Sequence, residues 1–359
     1  EVERVALQRA ARNISVFATA QRDALVAMEV QVEPGVFIGQ RPLPVASAAC
    51  YAPGGRYPLP STVLMTVIPA RVAGVERVVL LSPPGPDGRP HRHVLAAAHL
   101  AGATEILAIG GVQAIAAVAL GTAAIAPVDL VVGPGNAWVT EAKRQLFGRI
   151  GIDALAGPSE VLVLADSSAN PARVAADMLA QAEHDPMAEA VALVHDQTQA
   201  DAVLAALEEQ LATLPTADIA RASLAQHGAV VVVPDLQQMV AMANSRAPEH
   251  LHLHLRDAVA AADEFTAYGG LFIGEDSAEV FGDYCSGSNH VLPTAGAARY
   301  TGGLSVHTFR RVLSTQRLTP AGAAGLAATV ATLARIEGLE AHARAGELRQ
   351  SPPSSATGR

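Results

Sequence analysis

The stretch VLVLADSSANPARVAADMLAQAEHDPMAEAVALV, residues 161–194, decides the fold. It opens with an apolar run at 161–164, continues with helically spaced apolar residues at 171–184, and closes with a second apolar run at 190–194. Short apolar runs bounded by turn residues are typical of buried strands. The stretch therefore predicts a strand, a helix and a second strand, which is the repeating unit of a parallel α/β sheet.

The same alternation extends in both directions. Further strands are predicted at 77–81, 105–109, 128–132, 229–233, 250–255 and 271–273. Helices are predicted up to about Met28, after Pro90, from Val112, and at 198–211, 236–245, 257–268 and 320–347. Ser61 and Thr62 are placed to cap one more helix. The alternation favours an α/β fold with two Rossmann-like parallel-sheet domains, each incomplete, plus a helical C-terminal tail.

Composition limits the class of partner. Half of the 359 residues are apolar, which is enough for a sizeable core, and the net charge is −9. The 25 basic residues are scattered, so no basic stripe is available for nucleic acid or for an anionic membrane. We therefore expect small-molecule ligands. The two cysteines, Cys50 and Cys285, do not make a disulfide framework, which indicates a reducing compartment.

The uncharged segment 106–128 has the length of a membrane span. Gly110, Gly121 and Pro127 interrupt it, so it is predicted to form a strand, a turn and a buried helix instead. The N-terminus opens on Glu1 and is charged where a signal peptide would be apolar. The chain is thus expected to be cytoplasmic and to lack its natural start.

Two polar residues stand near the end of the helix predicted at 171–184. Gln181 and His184 are three positions apart and share a helix face, just before Pro186 ends the helix. An amide oxygen beside an imidazole suits Zn²⁺, Mn²⁺ or a similar divalent cation. On spacing alone a polar helix end is the commoner structure, and further ligands would have to come from elsewhere.

A carboxylate and an imidazole adjoin at the start of the strand predicted at 250–255. Glu249 and His250 offer a base near neutral pH beside an acid that can orient water. A polar strand edge without function is the alternative. His250, His252 and His254 also share one strand face, which leaves a three-histidine metal site as a further possibility.

Two glycine-containing loops are also candidates. Residues 132–136, VGPGN, follow an apolar strand, where backbone N–H groups can face a phosphate, although the third glycine of the dinucleotide fingerprint is missing. Residues 282–290, GDYCSGSNH, bring Asp283 and His290 to a polar loop. Cys285 in that loop is a rival thiol nucleophile, but a loop thiol without an assigned partner is more often inert.

Together these segments resemble the histidinol dehydrogenase family. The resemblance runs from about Ile14 to about Arg349 and rests on YAPGG, STVLM, IGGVQAIAA, GPGNAWVTEAKRQ, AGPSEVLV, QAEHD, APEHL, GDYCSGSNHVLPT and EGLEAH, in that order. Members of the family use one Zn²⁺ per site, and NAD in two successive steps, to oxidise L-histidinol through L-histidinaldehyde to L-histidine. The resemblance therefore implies a zinc- and NAD-dependent dehydrogenase that closes histidine biosynthesis.

Position by position, the resemblance implies roles along the whole chain. It implies catalysis by Glu249 and His250. The implied zinc ligands are Gln181, His184, Asp283 and His342; the implied substrate contacts are these four with Ser159, His250, His290 and Glu337; the implied NAD contacts are Tyr51, Gln113 and Asn136. In the family the last zinc ligand comes from the partner subunit. A homodimer is therefore implied, with His342 and Glu337 contributed across its interface.

The resemblance also gives the predicted domains their roles. Residues 1–50 and 166–303 are expected to form the Rossmann-like domain with most zinc-binding and catalytic residues, and 51–165 the domain that contacts NAD. Residues 304–359 are expected to form a dimerising helical tail with a disordered Ser- and Pro-rich end. The chain starts later than family members do, where the family has a helical arm used in dimer contacts.

Two alternatives stay open. A paralogue of the same fold would oxidise another polar alcohol, such as a sulfonated diol, and the presence of both Glu337 and His342 argues for histidinol instead. An inactive, truncated remnant that binds zinc or a nucleotide is the alternative from a different class. Intact Glu249 and His250 argue against it, whereas the expected loss of the natural start argues for it.

Overall fold

The computed structural model describes residues 1–54 and 57–350. Its strands are β1 Met28–Glu33, β2 Val36–Pro44, β3 Ser47–Tyr51, β4 Arg77–Ser82, β5 Glu105–Ala108, β6 Leu130–Val132, β7 Gly151–Ile152, β8 Glu160–Ala165, β9 Glu189–Val194, β10 Gly228–Val232, β11 His250–His254, β12 Gly270–Ile273 and β13 Arg310–Leu318. Its helices are α1 Val2–Ala24, α2 Pro60–Ala73, α3 Arg92–Ala101, α4 Gly111–Leu120, α5 Ala137–Leu146, α6 Pro171–Ala182, α7 Gln197–Leu211, α8 Ala217–His227, α9 Leu236–Arg246, α10 Ala258–Ala261, α11 Glu279–Tyr284, α12 Pro320–Ile336 and α13 Glu340–Glu347. The end expected to be disordered, 351–359, lies outside the described residues, as do Gly55, the last residue of YAPGG, and Arg56, which follows it.

Two five-stranded parallel sheets have the same strand order. The first runs β5-β4-β3-β6-β7 and the second β10-β9-β8-β11-β12. Each is the order of the first five strands of a Rossmann sheet, with a reversal between the first and fourth strands. The reversal lies between β3 and β6 in one sheet and between β8 and β11 in the other. The predicted α/β class with two Rossmann-like sheets is confirmed.

The strands were predictable because both faces of each sheet are buried. Along β8, Val161 and Val163 pack into one apolar cluster with α6, while Leu162 and Leu164 pack into another with α9. A strand covered on both faces reads as a continuous apolar run. The uncharged segment 106–128 likewise contains most of β5 and all of α4, as predicted. Among the described helices none has the length and hydropathy needed to cross a bilayer.

Several sequence predictions need correction. The helix predicted at 257–268 is only α10 and a 3₁₀ turn at Ala262–Glu264. Helix α8 and strand β13 were not predicted, since neither presents a clear apolar face. Thr62 does not cap a helix, because α2 begins at Pro60 and encloses Thr62.

The strand pairing also bears on the predicted domain boundary at residue 165. Strand β8 falls on the N-terminal side of that boundary but pairs with β9 and β11, in the sheet of the other predicted domain. An apolar run does not reveal which sheet it joins, because strand pairing is a tertiary contact. The division into domains by function stays a prediction.

The chain divides into two compact units. The first consists of Glu1–Gln21 and Val45–Phe309 and holds both parallel sheets. The second consists of Arg22–Pro44 and Arg310–Arg359. Its antiparallel sheet has the order β1-β2-β13. The single helix predicted at 320–347 is wrong, because Gly338 adopts φ +77 and separates α12 from α13. The two helices pack through alanines, namely Ala331, Ala334 and Ala343.

Candidate active site

Glu249 and His250 lie at the start of β11, on the amino edge of the second sheet, and both side chains are buried. The main chain of Glu160, the first residue of β8, contacts both. Its N–H donates to Glu249 Oε2 at 2.9 Å, and its carbonyl oxygen lies 3.2 Å from His250 Nδ1. A carbonyl oxygen only accepts, so the hydrogen of the neutral imidazole sits on Nδ1. The lone pair of His250 is therefore on Nε2.

His250 Nε2 is the best-placed base in this cluster. It is buried, and no hydrogen-bond partner for it lies among the described residues. Burial lowers the pKa of His250, an effect that the charge of Glu279 opposes. Burial raises the pKa of Glu249 well above its usual value, against the hydrogen bond from the Glu160 N–H. Burial therefore favours the neutral imidazole of His250 and makes the Glu249 carboxylate more basic than an exposed one.

Helix α6 positions the first two predicted zinc ligands. Asn170 caps its start by accepting from the Ala172 N–H at 2.9 Å. The helix ends at Ala182, two residues earlier than predicted, but the His184 N–H still bonds to the Gln181 carbonyl at 3.2 Å. The two side chains consequently meet, with Gln181 Nε2 lying 3.4 Å from His184 Nδ1.

The third predicted ligand, Asp283, lies on the short helix α11. Its Oδ1 is 3.9 Å from His250 Nε2, and the carboxyl is mostly buried. Burial, with the nearby charge of Glu279, raises the pKa of Asp283 to about 8. His184 lies close enough to both His250 and Glu279 to affect their pKa values. One neighbourhood therefore holds the base and three of the implied ligands, of which Gln181 and Asp283 are buried and His184 is exposed.

This neighbourhood fits a divalent cation. Gln181 is fully buried, and its Oε1 has no hydrogen-bond partner within the described part of the chain. An amide oxygen, an imidazole and a carboxylate form a donor set suited to Zn²⁺. A cation would also offset the buried negative charge that raises the pKa of Asp283.

The three-histidine alternative is not supported, because the three side chains along β11 do not converge on one point. His250 turns to the Glu160 carbonyl, whereas His252 Nδ1 and His254 Nε2 lie 3.0 and 2.8 Å from one oxygen of Asp177. Asp177, His252 and His254 are close enough together to hold a metal ion. Burial lowers the pKa of His252, but the hydrogen bond with Asp177 and the charge of Glu279 outweigh it and raise the pKa to about 9. A proton on that ring would compete with a cation, but His252 Nε2 also accepts a hydrogen bond from the Glu279 N–H at 3.2 Å, which requires an unprotonated nitrogen.

His290 joins the site through two hydrogen bonds. Its Nδ1 lies 3.1 Å from the Asp283 carbonyl oxygen, and its Nε2 lies 2.9 Å from the Thr62 hydroxyl. Burial lowers the pKa of His290 to about 4, so the ring is neutral at pH 7. Ser159, the remaining implied substrate contact of this unit, is half-buried directly before Glu160.

The implied NAD contacts lie at the carboxyl edge of the first sheet. The Tyr51 hydroxyl, at the end of β3, accepts a hydrogen bond from the Gly111 N–H at 3.1 Å, where α4 begins. Gln113 is exposed in the first turn of α4. Asn136 caps α5, and its Oδ1 accepts from the Trp138 and Val139 N–H groups at 3.1 Å.

The VGPGN turn is held by bonds within the chain. The Gly133 N–H donates to Asp153 Oδ2 at 2.7 Å, and Lys143 Nζ donates to the Gly133 carbonyl at 3.0 Å. Lys143 and Asp153 also form a buried ion pair. One of the N–H groups predicted to face a phosphate, that of Gly133, is therefore already bonded within the chain.

Glu337 and His342 belong to the second unit. Glu337 ends α12 and His342 lies in the first turn of α13, and both side chains are exposed. Cys285, the rival nucleophile, is half-buried against an apolar cluster, and its carbonyl accepts from Asn13 Nδ2 at 2.7 Å. That packing role makes the thiol-nucleophile alternative unnecessary.

Sequence reasoning gave no role to Glu160 or Glu279. Glu279 Oε2 lies 3.7 Å from His250 Nδ1 and 3.5 Å from His252 Nε2, and the side chain is 1% exposed. Glu160 carried one signal, an acidic residue at the start of an apolar run. Glu279 carried none, since only the folding of α11 onto β11 brings it to His250.

Comparisons with known proteins agree over nearly the whole chain. The sequence model of the histidinol dehydrogenase family matches residues 1–350. Histidinol dehydrogenase of Parasynechococcus marenigrum is 48% identical over 348 residues, which cover 97% of this chain and 79% of that protein. A "histidinol dehydrogenase homolog" of Ruegeria pomeroyi is 45% identical over 339 residues, or 94% of this chain and 78% of that protein. The crystal structure of histidinol dehydrogenase from Elizabethkingia anophelis superposes with a TM-score of 0.92 at 38% identity, covering 96% of this chain and 79% of that one.

Proposed function

The chain belongs to the histidinol dehydrogenase family of oxidoreductases, and on that premise we propose that it oxidises L-histidinol through L-histidinaldehyde to L-histidine with NAD and one Zn²⁺ per site. The observation that carries the proposal is His250 Nε2, a buried nitrogen with a lone pair and no hydrogen-bond partner among the described residues. A base in that state is ready to take the proton of a bound alcohol.

His250 is the proposed base for the alcohol step. The Glu160 carbonyl at 3.2 Å keeps the hydrogen on Nδ1, so Nε2 accepts the hydroxyl proton as the C–H hydride leaves. The resulting imidazolium would lie near Glu279, whose Oε2 is 3.7 Å from Nδ1. That carboxylate stabilises the charged ring during the step. NAD, when bound, supplies the hydride acceptor in both oxidations.

Glu249 is the proposed base for the aldehyde step. It would take a proton from the water that adds to the aldehyde carbon, which gives the hydrate from which the second hydride leaves. Burial raises the pKa of Glu249, which makes its carboxylate a stronger base than an exposed one. The hydrogen bond from the Glu160 N–H at 2.9 Å orients the carboxylate for this transfer.

Gln181, His184, Asp283 and His342 of the partner subunit would hold the zinc ion. The buried, unpartnered Gln181 Oε1 and the raised pKa of Asp283 support this set. When bound, the ion supplies an anchor for the imidazole and amino nitrogens of the substrate and so orients it. Ser159, His290 and Glu337 would complete the substrate site, and Tyr51, Gln113 and Asn136 the NAD site.

A homodimer is part of the proposal, since His342 and Glu337 would come from the partner subunit. Large apolar side chains near Glu337 are exposed, with Leu333 at 56% and Ile336 at 76%, and a second subunit would cover them. Mixing His342→Ala with His250→Asn, each inactive alone, should restore part of the activity in heterodimers. A confirmed heterodimer without recovery would contradict a shared site.

A paralogue acting on another polar alcohol, such as a sulfonated diol, is the second candidate. One relative, in Ruegeria pomeroyi, is named a homolog of histidinol dehydrogenase and not the enzyme itself, which supports retaining this candidate. Cytoplasmic localisation and the absence of a nucleic-acid partner stay predictions.

The deciding experiment measures NADH formed per L-histidinol consumed, with zinc-loaded protein and limiting substrate. About two NADH per substrate would establish the double oxidation, since each hydride reduces one NAD. About one would indicate a paralogue that stops at the carbonyl. None, in a protein shown to be dimeric and zinc-loaded, would refute histidinol as the substrate.

A further inference from the structure

Glu160 contacts both catalytic residues through its main chain. Its N–H donates to Glu249 Oε2 at 2.9 Å, and its carbonyl oxygen lies 3.2 Å from His250 Nδ1. A shift of this one residue would therefore move the hydrogen bonds of both. The contacts that hold Glu160 in place therefore determine the orientation of the Glu249 and His250 side chains.

The side chain of Glu160 is held at both carboxylate oxygens. Oε1 accepts from the Ala295 N–H at 2.8 Å, and Oε2 pairs with Arg246 Nη2 at 3.1 Å. Arg246 also pairs with Glu189, the first residue of β9, which lies beside Glu160 in the sheet register. The carboxylate of Glu160, the first residue of β8, thus bonds both to Arg246 at the end of α9 and to the loop residue Ala295.

Both contacts lead to strained backbone. Among the described residues, Ala247 and Ala295 are the non-glycine residues with positive φ, at 52° and 54°. Ala295 itself donates to Glu160, and Ala247 directly follows Arg246 and precedes the Pro248-Glu249-His250 segment. A non-glycine residue in the left-handed region is strained and persists only where its surroundings enforce it.

We propose that Glu160 is a positioning residue of this active site, whose carboxylate holds Ala247 and Ala295 in left-handed conformations and so fixes the geometry of Glu249 and His250. Without the carboxylate, both alanines are free to relax towards negative φ. Relaxation at Ala247 rotates the chain that enters β11. The two bases then lose their alignment, although neither has been altered. The consequence for turnover rests on the proposed function.

The test compares Glu160→Ala and Glu160→Gln with the control Glu189→Ala. Glu189 starts the neighbouring strand and pairs with the same arginine, but its main-chain N–H bonds to the Ser159 carbonyl and to neither base. For Glu160→Ala we expect kcat for histidinol and for histidinaldehyde to fall at least about 10-fold, because small misplacements of reacting groups are costly. KM and zinc content should change little. Glu160→Gln, which keeps an oxygen for the Ala295 N–H, should recover part of kcat, and Glu189→Ala should stay within about twofold of the unaltered protein.

A second measurement does not depend on turnover. In protein labelled with ¹⁵N-histidine, His250 is assigned by its loss in His250→Asn, and its nitrogen shifts report which ring nitrogen carries the hydrogen. We expect the Nδ1–H form in the unaltered protein and in Glu189→Ala, and a mixture of the two forms in Glu160→Ala. If the His250 signals of Glu160→Ala match those of the control, the inference fails, even if the protein proves not to oxidise histidinol. Equal kcat in Glu160→Ala and Glu189→Ala would overturn it as well.

Discussion

The two parallel sheets have one strand order but carry their candidate sites at opposite edges. In the first sheet the implied NAD contacts follow the carboxyl ends of the strands, as at Tyr51 on β3. This is the common location in open α/β sheets, at the point where the strand order reverses. In the second sheet Glu249 and His250 lie at the amino end of β11. Strand order alone would therefore place the second site at the wrong edge.

The carboxyl edge of the second sheet is closed by its own hydrogen bonds. Asp166, directly after β8, accepts from the Ser168 and Arg256 N–H groups at 2.8 Å. Its main-chain N–H also donates to the His254 carbonyl at 3.1 Å. These bonds occupy the position where a ligand would otherwise meet the reversal point. The difference shows that side chains, more than topology, determine which edge of such a sheet can bind.

The contrast is sharpest between β6 and β11, which occupy the same place in their sheets. Strand β6 is Leu-Val-Val and leads into a glycine turn, whereas β11 is His-Leu-His-Leu-His and begins with the base. One strand therefore delivers a backbone turn, and the other delivers side chains. Substitutions on each can break or sharpen this comparison.

The largest effect is expected for His250→Asn, which removes the base from the amino edge. General base catalysis contributes about 10²–10⁴-fold, so kcat for histidinol should fall by about 10³-fold. Zinc content should be unchanged, because His250 is not among the proposed ligands. Steady-state kinetics with metal analysis checks both. Retained turnover would remove His250 as the base and, with it, the case for the amino edge.

The next largest effect is expected for Glu249→Gln, which should slow the oxidation of the aldehyde more than that of the alcohol. The amide keeps an oxygen for the Glu160 N–H but cannot take a proton from water. We expect aldehyde oxidation to fall about 10²-fold and alcohol oxidation less than about 10-fold. Stopped-flow measurement of each step, started from histidinol or from histidinaldehyde, distinguishes them. Equal losses would contradict a role confined to the water.

These two residues also mark how far the sequence could predict the site. Glu249 and His250 could be predicted from the sequence, because they adjoin each other at the start of a predicted strand. The contacts of Glu279 and Asp177 with β11 could not be predicted, because each residue reaches the strand only when its helix packs against the sheet. Likewise β13 escaped prediction, since its charged, mostly exposed residues show no buried face. Buried periodic elements are therefore predictable from the sequence, whereas contacts between them are not.

A smaller effect, on stability, is expected for Gly133→Ala at the end of β6. Gly133 has φ +111, and an added Cβ would lie 2.2 Å from the Tyr51 carbonyl oxygen of β3. Strain and clash together should lower the free energy of unfolding by about 3 kcal/mol. Gly148→Ala is the control, since Gly148 has φ +93 but no atom within 4 Å of the added Cβ, so about 1 kcal/mol of strain should remain. Equal losses in urea unfolding would mean that the close approach to β3 does not matter.

The smallest effect tests why β11 carries histidines beyond the base. The pKa of His252 is raised from 6.5 to about 9, so its contribution to stability is complete below pH 6.5 and is lost as the pH rises through 9. Between pH 6 and 9.5 the unaltered protein should therefore lose about 1–2 kcal/mol more than His252→Gln or Asp177→Asn, in which the pair is absent. His254→Gln is the matched control, because His254 bonds to the same Asp177 oxygen at 2.8 Å while the His252 pair stays intact. If urea unfolding shows the same pH dependence in all four proteins, His252 is neutral in the folded state, and Asp177, His252 and His254 become a plausible cation site. Strand β11 would then carry potential metal ligands as well as the base at its amino end, which would widen its contrast with the apolar strand β6.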